Sequence, residues 1–214
     1  MLPPSHHRTR IKICGITRPE DALEAARLGA DAVGFVLYPP SPRAIDAVRA
    51  ARIRDVLPPF VQPVALFMDP VEAEVEAVLQ LIPEVMLQFH GSETHAFCAS
   101  FGRPYLKALP MGKGGDPVNE AARHARACGF LLDSHDAGGM GGTGHAFDWS
   151  NTPSLERPIV LAGGLRPENV GEAVRGVRPW AVDVSSGVER APGIKDPARM
   201  AAFINEVRHA DRSD

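Results

Sequence analysis

Short apolar runs alternate along the chain with longer stretches in which apolar residues recur every three or four positions. A continuous apolar run is typical of a strand buried on both faces of a parallel sheet, and the longer spacing is typical of a helix. The apolar runs predict eight strands: Arg10–Cys14, Ala32–Val36, Pro63–Phe67, Val85–Phe89, Tyr105–Ala108, Phe130–Asp133, Ile159–Ala162 and Ala181–Ser185. The helical spacing predicts seven helices: Pro19–Leu28, Asp46–Leu57, Pro70–Leu81, Glu93–Phe101, Pro117–Ala127, Pro167–Val174 and Pro197–Arg208.

This regular alternation of strand and helix indicates an α/β fold with a parallel sheet. Eight repeats predict a (β/α)8 TIM barrel, and the structural rival is a doubly wound open sheet. Because such barrels need roughly 200 residues or more, the 214 residues are near the minimum and leave no room for a second domain. We expect residues 10–210 to form this single barrel and residues 1–9 to be a disordered extension. Between Asp133 and Ile159 the helical pattern fails, which predicts a long functional loop, residues 134–158, with at most one short helical turn.

Charge and composition narrow the possible partners and compartment. A formal net charge of −3 and a pI near 6.2 provide no basic field for nucleic acid or an anionic membrane. No apolar segment approaches the ~20 residues that span a bilayer, and the N-terminal MLPPSHHRTR lacks the apolar region of a signal peptide. Three cysteines without a close pair fit a reducing cytoplasm better than a disulfide framework. We therefore expect a soluble cytoplasmic protein, as a monomer or a homodimer.

Reactive side chains stand where the predicted strands end, which is where barrel enzymes carry their catalytic groups. The candidates are Cys14, Arg43, Gln88, His90, Lys107 and Asp133. Cys14 is either a small packed residue or a base whose thiol pKa is shifted by a nearby Lys, Arg or helix N-terminus. Asp133 is either a structural residue that caps its loop or a general acid. On one rim the two would supply an acid and a base of different intrinsic pKa, which suits proton transfer.

Two turns of small residues follow the last two predicted strands. They are Gly163-Gly164 and Ser185-Ser186-Gly187. Backbone N–H groups in such turns can cradle a phosphate, because glycine lets the anion approach the amides. The alternative is that both are only tight strand-to-helix turns. Since they fall on the adjacent strands that hold phosphate in many barrels, a phosphate site is the favoured interpretation.

Arg43 and His90 are the remaining candidates with distinctive chemistry. Arg43 follows the stiff segment YPPSP, so its planar guanidinium would be held in place to bind a carboxylate. Alternatively, it is an exposed residue at the start of the second helix. His90 has no partners at metal-ligand spacing, which is more typical of a hydrogen-bonded rim residue than of a ligand. The sequence predicts no metal site.

Six motifs occur in chain order between about Lys12 and Asp196. They are KICGIT, SPR, QFHG, LLDS with GGTGHAFDW, AGGLRPENV, and VDVSSGVE followed by PGIKD. Together they resemble the phosphoribosylanthranilate isomerase family of tryptophan biosynthesis. KICGIT and VDVSSGVE in combination are specific, whereas the glycine turns are shared with many phosphate-binding barrels. Phe89 stands where family members often have leucine, a departure that should alter packing more than chemistry.

The resemblance implies a cofactor-free Amadori rearrangement of a small phosphoribosyl substrate. Cys14 would be the general base, Asp133 the general acid, and Arg43 the holder of the substrate carboxylate. Asp183 also matches the family pattern; it would orient a loop or the substrate if it points into the barrel mouth and would be structural otherwise. The remaining substrate contacts would be Gln88 and His90, with the phosphate held at Gly163, Gly164, Ser185, Ser186 and Gly187.

Three other functions stay open at this point. An aminoaldose isomerase of histidine biosynthesis shares the barrel and the reaction type, but that family resembles a barrel with an aspartate on the first strand, where Cys14 stands here. A metal-dependent pentose-phosphate epimerase needs several His and Asp ligands on strand ends, and only His90 is placed for this. A phosphosugar-binding barrel without catalysis would keep the phosphate turns but would have no use for Cys14 and Asp133.

Overall fold

A closed barrel of eight parallel strands forms the centre of the molecule, in a computed structural model that describes residues 8–112, 116–134 and 148–212. The strands pair in chain order, and β1 pairs with both β2 and β8 to complete the ring. They are β1 (Arg10–Ile13), β2 (Ala32–Val36), β3 (Gln62–Phe67), β4 (Met86–Phe89), β5 (Tyr105–Pro110), β6 (Gly129–Asp133), β7 (Ile159–Leu161) and β8 (Ala181–Val184). The predicted barrel is therefore confirmed, and the open sheet is wrong.

Helices cover the outside of the barrel. They are α1 (Pro19–Leu28), α2 (Ala47–Arg54), α3 (Glu72–Leu81), α4 (His95–Ser100), α5 (Pro117–Arg123), α6 (Pro167–Val177) and α7 (Pro197–Ala210). Four of them carry proline in the first turn, where its missing N–H costs nothing. Between β6 and β7, the described residues contain one 3-10 turn, Trp149–Asn151. That agrees with the predicted loop, although its residues 135–147 lie outside the described part of the chain.

A short antiparallel hairpin between β8 and α7 was not predicted. Its strands are β9 (Glu189–Ala191) and β10 (Ile194–Lys195), joined through Pro192 and Gly193. Gly193 has a φ of 74°, a conformation that favours glycine in a tight turn. The hairpin places Glu189 and Lys195 beside the end of β8.

The side chains that point into the barrel change from apolar to polar along the strands. Side chains two residues apart on a strand share a face. One inner layer is apolar and contains Leu106, Ala108, Leu131, Val160, Ala162 and Ala181. Polar residues follow at the ends of the same strands, including Asp133 two residues after Leu131 and Asp183 two residues after Ala181. The polar groups therefore collect at the carboxyl end of the barrel, above a packed apolar interior.

In the part of the chain that the structure describes, contacts with the rest of the molecule begin at Arg8, two residues before Arg10, where the barrel was predicted to begin. The Arg8 guanidinium binds the Asp31 carboxylate, and Thr9 donates from its N–H and its hydroxyl to Asp211 at 2.9 and 2.7 Å. Thr9 is buried. These two residues were predicted to belong to the disordered extension; residues 1–7 of that extension lie outside the described residues. None of the described helices has the length and apolar character needed to cross a membrane.

Candidate active site

A cavity of about 270 Å³ opens at the carboxyl end of the barrel. This volume is close to the lower end of the range for small-molecule sites, roughly 300 Å³. The predicted site residues that line it are Cys14, Arg43, His90, Asp133, Gly163, Gly164, Asp183, Ser185 and Ser186. Gln88 and Gly187 are not among the residues that line it. The open question about Asp183 is answered, since its side chain belongs to the barrel mouth.

Cys14 lies beside a buried ion pair that was not predicted from the sequence. The Lys12 ammonium donates to Asp183 Oδ1 at 2.9 Å, across the register that pairs these residues in β1 and β8. A Cβ atom placed on Gly34 would lie 2.7 Å from the Cys14 sulfur and 3.0 Å from Lys12 Nζ. The thiol and the ammonium therefore meet beside β2, where a residue larger than glycine would collide with both.

Burial raises the pKa of the Cys14 thiol, although Lys12 acts in the opposite direction. The Asp183 carboxylate adds to the increase, because a nearby negative charge disfavours the thiolate. From the sequence, Cys14 was either a small packed residue or a base whose thiol pKa is shifted by a nearby Lys, Arg or helix N-terminus. The structure provides a nearby lysine, Lys12, but burial outweighs it, so the neutral thiol is the resting form.

Asp133 lies beside His90, which is supported in turn by Gln88. His90 Nε2 is 3.2 Å from Asp133 Oδ2, and His90 Nδ1 is 3.4 Å from Gln88 Nε2. Gln88 is fully buried, and its Oε1 accepts no hydrogen bond from the described residues. Gln88 therefore contacts the imidazole instead of lining the cavity, and His90 is a hydrogen-bonded rim residue, as the sequence favoured.

The two turns of small residues pack against each other after β7 and β8, close to Asp133: a Cβ atom on Gly163 would lie 2.9 Å from Asp133 Oδ1. A Cβ atom on Gly187 would lie 2.0 Å from the Leu165 carbonyl oxygen, so only glycine allows this approach. No hydrogen bond within the described residues occupies the N–H groups of Gly163, Gly164 or Ser186. The Ser185 hydroxyl is buried and likewise has no partner there. These donors are suited to an anionic oxygen.

Arg43 lines the cavity but is also part of a buried ionic cluster. Its Nε and Nη2 donate to the two carboxylate oxygens of Glu189 at 2.9 and 2.8 Å. Lys195 Nζ donates to Glu189 Oε1 at 2.7 Å. Arg43 is thus held from the side by the hairpin β9–β10, and the alternative of an exposed arginine is wrong.

Three residues of this site escaped sequence reasoning: Lys12, Glu189 and Lys195. The period of two along a strand could have found Lys12, because it must share a face with Cys14. Glu189 and Lys195 fall within the motifs VDVSSGVE and PGIKD, but nothing in their spacing indicates contact with Arg43. In the described residues, no group of three or more His, Cys, Asp or Glu side chains is arranged to hold a metal ion.

Comparison with known proteins identifies a consistent set of relatives. The family model described as N-(5'phosphoribosyl)anthranilate (PRA) isomerase matches residues 11–206. The N-(5'-phosphoribosyl)anthranilate isomerase of Pseudomonas aeruginosa strain UCBPP-PA14 is 54% identical over 206 residues, which cover 96% of this chain and 98% of that protein. The crystal structure of phosphoribosyl anthranilate isomerase from Thermotoga maritima is 40% identical, with a TM-score of 0.81, over 94% of this chain and 99% of that one. A phosphoribosyl anthranilate isomerase in complex with reduced 1-(o-carboxyphenylamino)-1-deoxyribulose 5-phosphate is 38% identical, with a TM-score of 0.77 and the same coverage.

Proposed function

The chain belongs to the N-(5'-phosphoribosyl)anthranilate isomerase family, and from this premise we propose how its residues carry out the reaction. The reaction is the conversion of N-(5'-phosphoribosyl)anthranilate, an aldose derivative, to 1-(2-carboxyphenylamino)-1-deoxyribulose 5-phosphate, a ketose derivative, in tryptophan biosynthesis. The observation that carries the proposal is the placement of Cys14 and Asp133 on one cavity that also presents Arg43 and backbone N–H groups from which no acceptor in the described residues takes a hydrogen bond. The relatives support this isomerase and neither the histidine-pathway enzyme nor a barrel without catalysis.

Asp133 opens the sugar ring in this proposal. Its carboxyl group donates a proton to the furanose oxygen while the bond from that oxygen to C1' breaks. The lone pair of the anthranilate nitrogen forms the new C=N bond, which leaves a protonated Schiff base. His90, 3.2 Å away, holds the carboxyl group in place and exchanges a hydrogen bond with it as its charge changes.

Cys14 takes the next proton. The Schiff base makes the hydrogen on C2' acidic, and the thiolate removes it, so that the C–H electrons form a C1'=C2' bond and the C=N electrons return to nitrogen. The resulting enolamine loses its hydroxyl proton and gains one at C1' to become the ketose. Lys12 stabilises the thiolate through its charge, and Asp183 holds the Lys12 ammonium at 2.9 Å.

The two ends of the substrate carry the charges that position it. The phosphate would accept hydrogen bonds from the N–H groups of Gly163, Gly164, Ser186 and Gly187 and from the Ser185 hydroxyl. The anthranilate carboxylate would bind the Arg43 guanidinium, whose side chain passes beside Ser185. Both anchors belong to the cavity that Cys14 and Asp133 line.

The wider setting belongs to the same proposal. We place the enzyme in the cytoplasm, where its three free cysteines would stay reduced. We propose that residues 10–210 act as one catalytic barrel, as a monomer or a homodimer, with a phosphoribosyl small molecule as its partner. The fully buried Cys98 would have no part in the chemistry.

Two substrates test the function directly. We expect purified protein to quench the fluorescence of freshly generated phosphoribosylanthranilate, with a slower rate when C2' carries deuterium, because that C–H bond breaks. We expect no comparable turnover of the imidazole-carboxamide aminoaldose of histidine biosynthesis. Turnover of that compound alone, or no quenching above the uncatalysed rate in folded protein, would contradict the proposal.

A further inference from the structure

The Arg43 guanidinium is engaged along one edge only. A guanidinium has five N–H donors in a planar fork. Glu189 takes the edge formed by Nε and Nη2, at 2.9 and 2.8 Å. Within the described residues, no acceptor occupies the edge formed by Nη1 and Nη2. Arg43 is also one of the residues that line the cavity.

Glu189 is itself fixed by Lys195, so the clamp on Arg43 is rigid. The Lys195 ammonium donates to Glu189 Oε1 at 2.7 Å and to the Ser185 carbonyl at 3.1 Å. The Glu189 side chain is 5% exposed and that of Lys195 is fully buried. Burial alone would raise the pKa of Glu189, but the hydrogen bonds from Arg43 and the charge of Lys195 more than offset this and lower it. Glu189 therefore stays ionised at neutral pH.

The cluster contains two cations and one anion. Without Lys195, Arg43 and Glu189 would form a neutral pair with little attraction for another anion. Burial lowers the pKa of Lys195, but the Glu189 carboxylate opposes this and accepts from the ammonium at 2.7 Å. With Lys195 protonated in this contact, one positive charge is left over in a largely buried place, and a buried charge is costly until it is paired. A second carboxylate on the free edge of Arg43 would supply that pairing, in the bidentate geometry that arginine favours.

We infer that Glu189 and Lys195 are the specificity-determining residues for a carboxylate on the substrate's aromatic ring. Glu189 is a positioning residue that turns the free edge of Arg43 toward the cavity, and Lys195 supplies the surplus positive charge. The inference rests on the proposed function, in which Arg43 holds the anthranilate carboxylate. It adds that Arg43 alone is not sufficient, because an unclamped guanidinium would lose its orientation.

A pair of ligands that differ in one group tests this role. The first is reduced 1-(o-carboxyphenylamino)-1-deoxyribulose 5-phosphate, and the second is the same molecule without its carboxyl group. Titration calorimetry gives the ratio of their affinities, which we expect to be about 100-fold in the native protein, the order that a bidentate charge-assisted contact provides. In Glu189→Gln we expect the ratio to fall to about tenfold or less, with the affinity for the second ligand kept within about threefold.

Glu93→Gln is the matched control. Glu93 also belongs to a buried Lys–Glu pair, since its Oε2 lies 3.2 Å from Lys107 Nζ, but it does not contact Arg43. We expect this variant to keep the native ratio. The direction of the Glu189→Gln effect separates two roles. If Glu189 acted only through its negative charge, removing that charge would raise the preference for the ligand with the carboxylate. If Glu189 positions Arg43, the substitution lowers that preference.

A second variant covers the case in which Glu189→Gln fails to fold. Glu189→Gln combined with Lys195→Met removes the clamp but leaves one positive charge, on Arg43. A lowered ratio in this double variant supports the inference, and a native ratio in either foldable variant overturns it. If the native protein binds neither ligand, the proposed function fails and the inference fails with it. If the native protein discriminates and Arg43→Gln does not change the ratio, the function stands and the assignment to this cluster is wrong.

Discussion

Two regions of the barrel contain the same three buried residue types, a cysteine, a lysine and a glutamate. Beside the cavity they are Cys14, Lys195 and Glu189, and on the β4–β5 side they are Cys98, Lys107 and Glu93. In the second region, Glu93 Oε1 accepts from the Asp69 N–H at 2.9 Å, and Lys107 donates to the Gly91 carbonyl at 2.5 Å. Those partners are backbone groups of adjacent loops. The β4–β5 residues therefore stabilise loop structure. Beside the cavity, in contrast, Glu189 binds Arg43 and the Cys14 thiol lines the cavity.

The difference teaches that neither residue type nor burial identifies a functional group in this protein. Burial raises the pKa of Cys98 to about 12, so its thiol stays neutral. Burial also raises the pKa of Cys14, and at each cysteine a lysine opposes the effect, Lys107 at Cys98 and Lys12 at Cys14. What separates the two cysteines is that Cys14 lines the cavity.

The largest effect should come from removing the proposed acid. We expect Asp133→Asn to lower kcat by about 10²- to 10⁴-fold, the range for loss of general acid catalysis. Glu93→Gln removes a buried carboxylate from the β4–β5 side and should leave kcat within about threefold. Steady-state fluorescence assays on both variants make the comparison. Equal losses in the two would mean that burial, and not the position of Asp133, explains the effect.

A large effect on stability should come from the β4–β5 side of the barrel. Lys107→Met leaves Glu93 as an uncompensated buried charge, which typically costs ~3–5 kcal/mol. We expect the urea midpoint to fall accordingly, while kcat of the folded fraction is kept. Urea unfolding followed by circular dichroism measures the first quantity. A loss of kcat without a loss of stability would assign Lys107 to the chemistry and remove the contrast between the regions.

A smaller effect should appear in the pH dependence. Because burial raises the pKa of Cys14, the thiolate is a minor form at neutral pH, and kcat should climb as pH rises toward that pKa. Lys12→Met removes the group that opposes burial, so the pKa should rise further. Each unit of increase would lower the rate at neutral pH by about tenfold.

Lys107→Met provides the control for that shift, since it also removes a buried lysine but does not contact Cys14. Profiles of kcat against pH should coincide for this variant and the native protein in their alkaline rise. If the alkaline rise of kcat in Lys12→Met also coincides with that of the native protein, Lys12 does not affect the pKa of the Cys14 thiol.

The barrel could be predicted because strand and helix alternate locally and each short apolar run pairs with the next one in the chain. The residues at which helices and strands begin and end were harder to predict. Helix α4 was predicted to begin at Glu93, but Thr94 caps it by accepting from the Phe97 N–H at 3.2 Å, while Glu93 turns inward to Lys107. A glutamate that serves a distant lysine cannot be recognised from helical spacing.

The candidate site divides in the same way. Cys14, Asp133 and the two turns could be placed because each stands at the end of a strand or within two residues of it, and strand ends meet at one rim. The contact of Arg43 with Glu189 could not, because 146 residues separate them and the hairpin register decides the geometry. The direction of the Cys14 pKa shift depends on burial in the finished fold. The catalytic roles of Cys14 and Asp133 stay predictions.

The central claim is that Cys14 is the base and that its position, not its burial, makes it one. Single-turnover fluorescence with phosphoribosylanthranilate tests this most directly, comparing native protein, Cys14→Ser and Cys98→Ser with a metal chelator present throughout. We expect rapid decay in the native protein and in Cys98→Ser, and a rate lower by about 10²- to 10⁴-fold in folded Cys14→Ser. Decay at the native rate in Cys14→Ser would contradict the claim and leave Cys14 as a packed thiol.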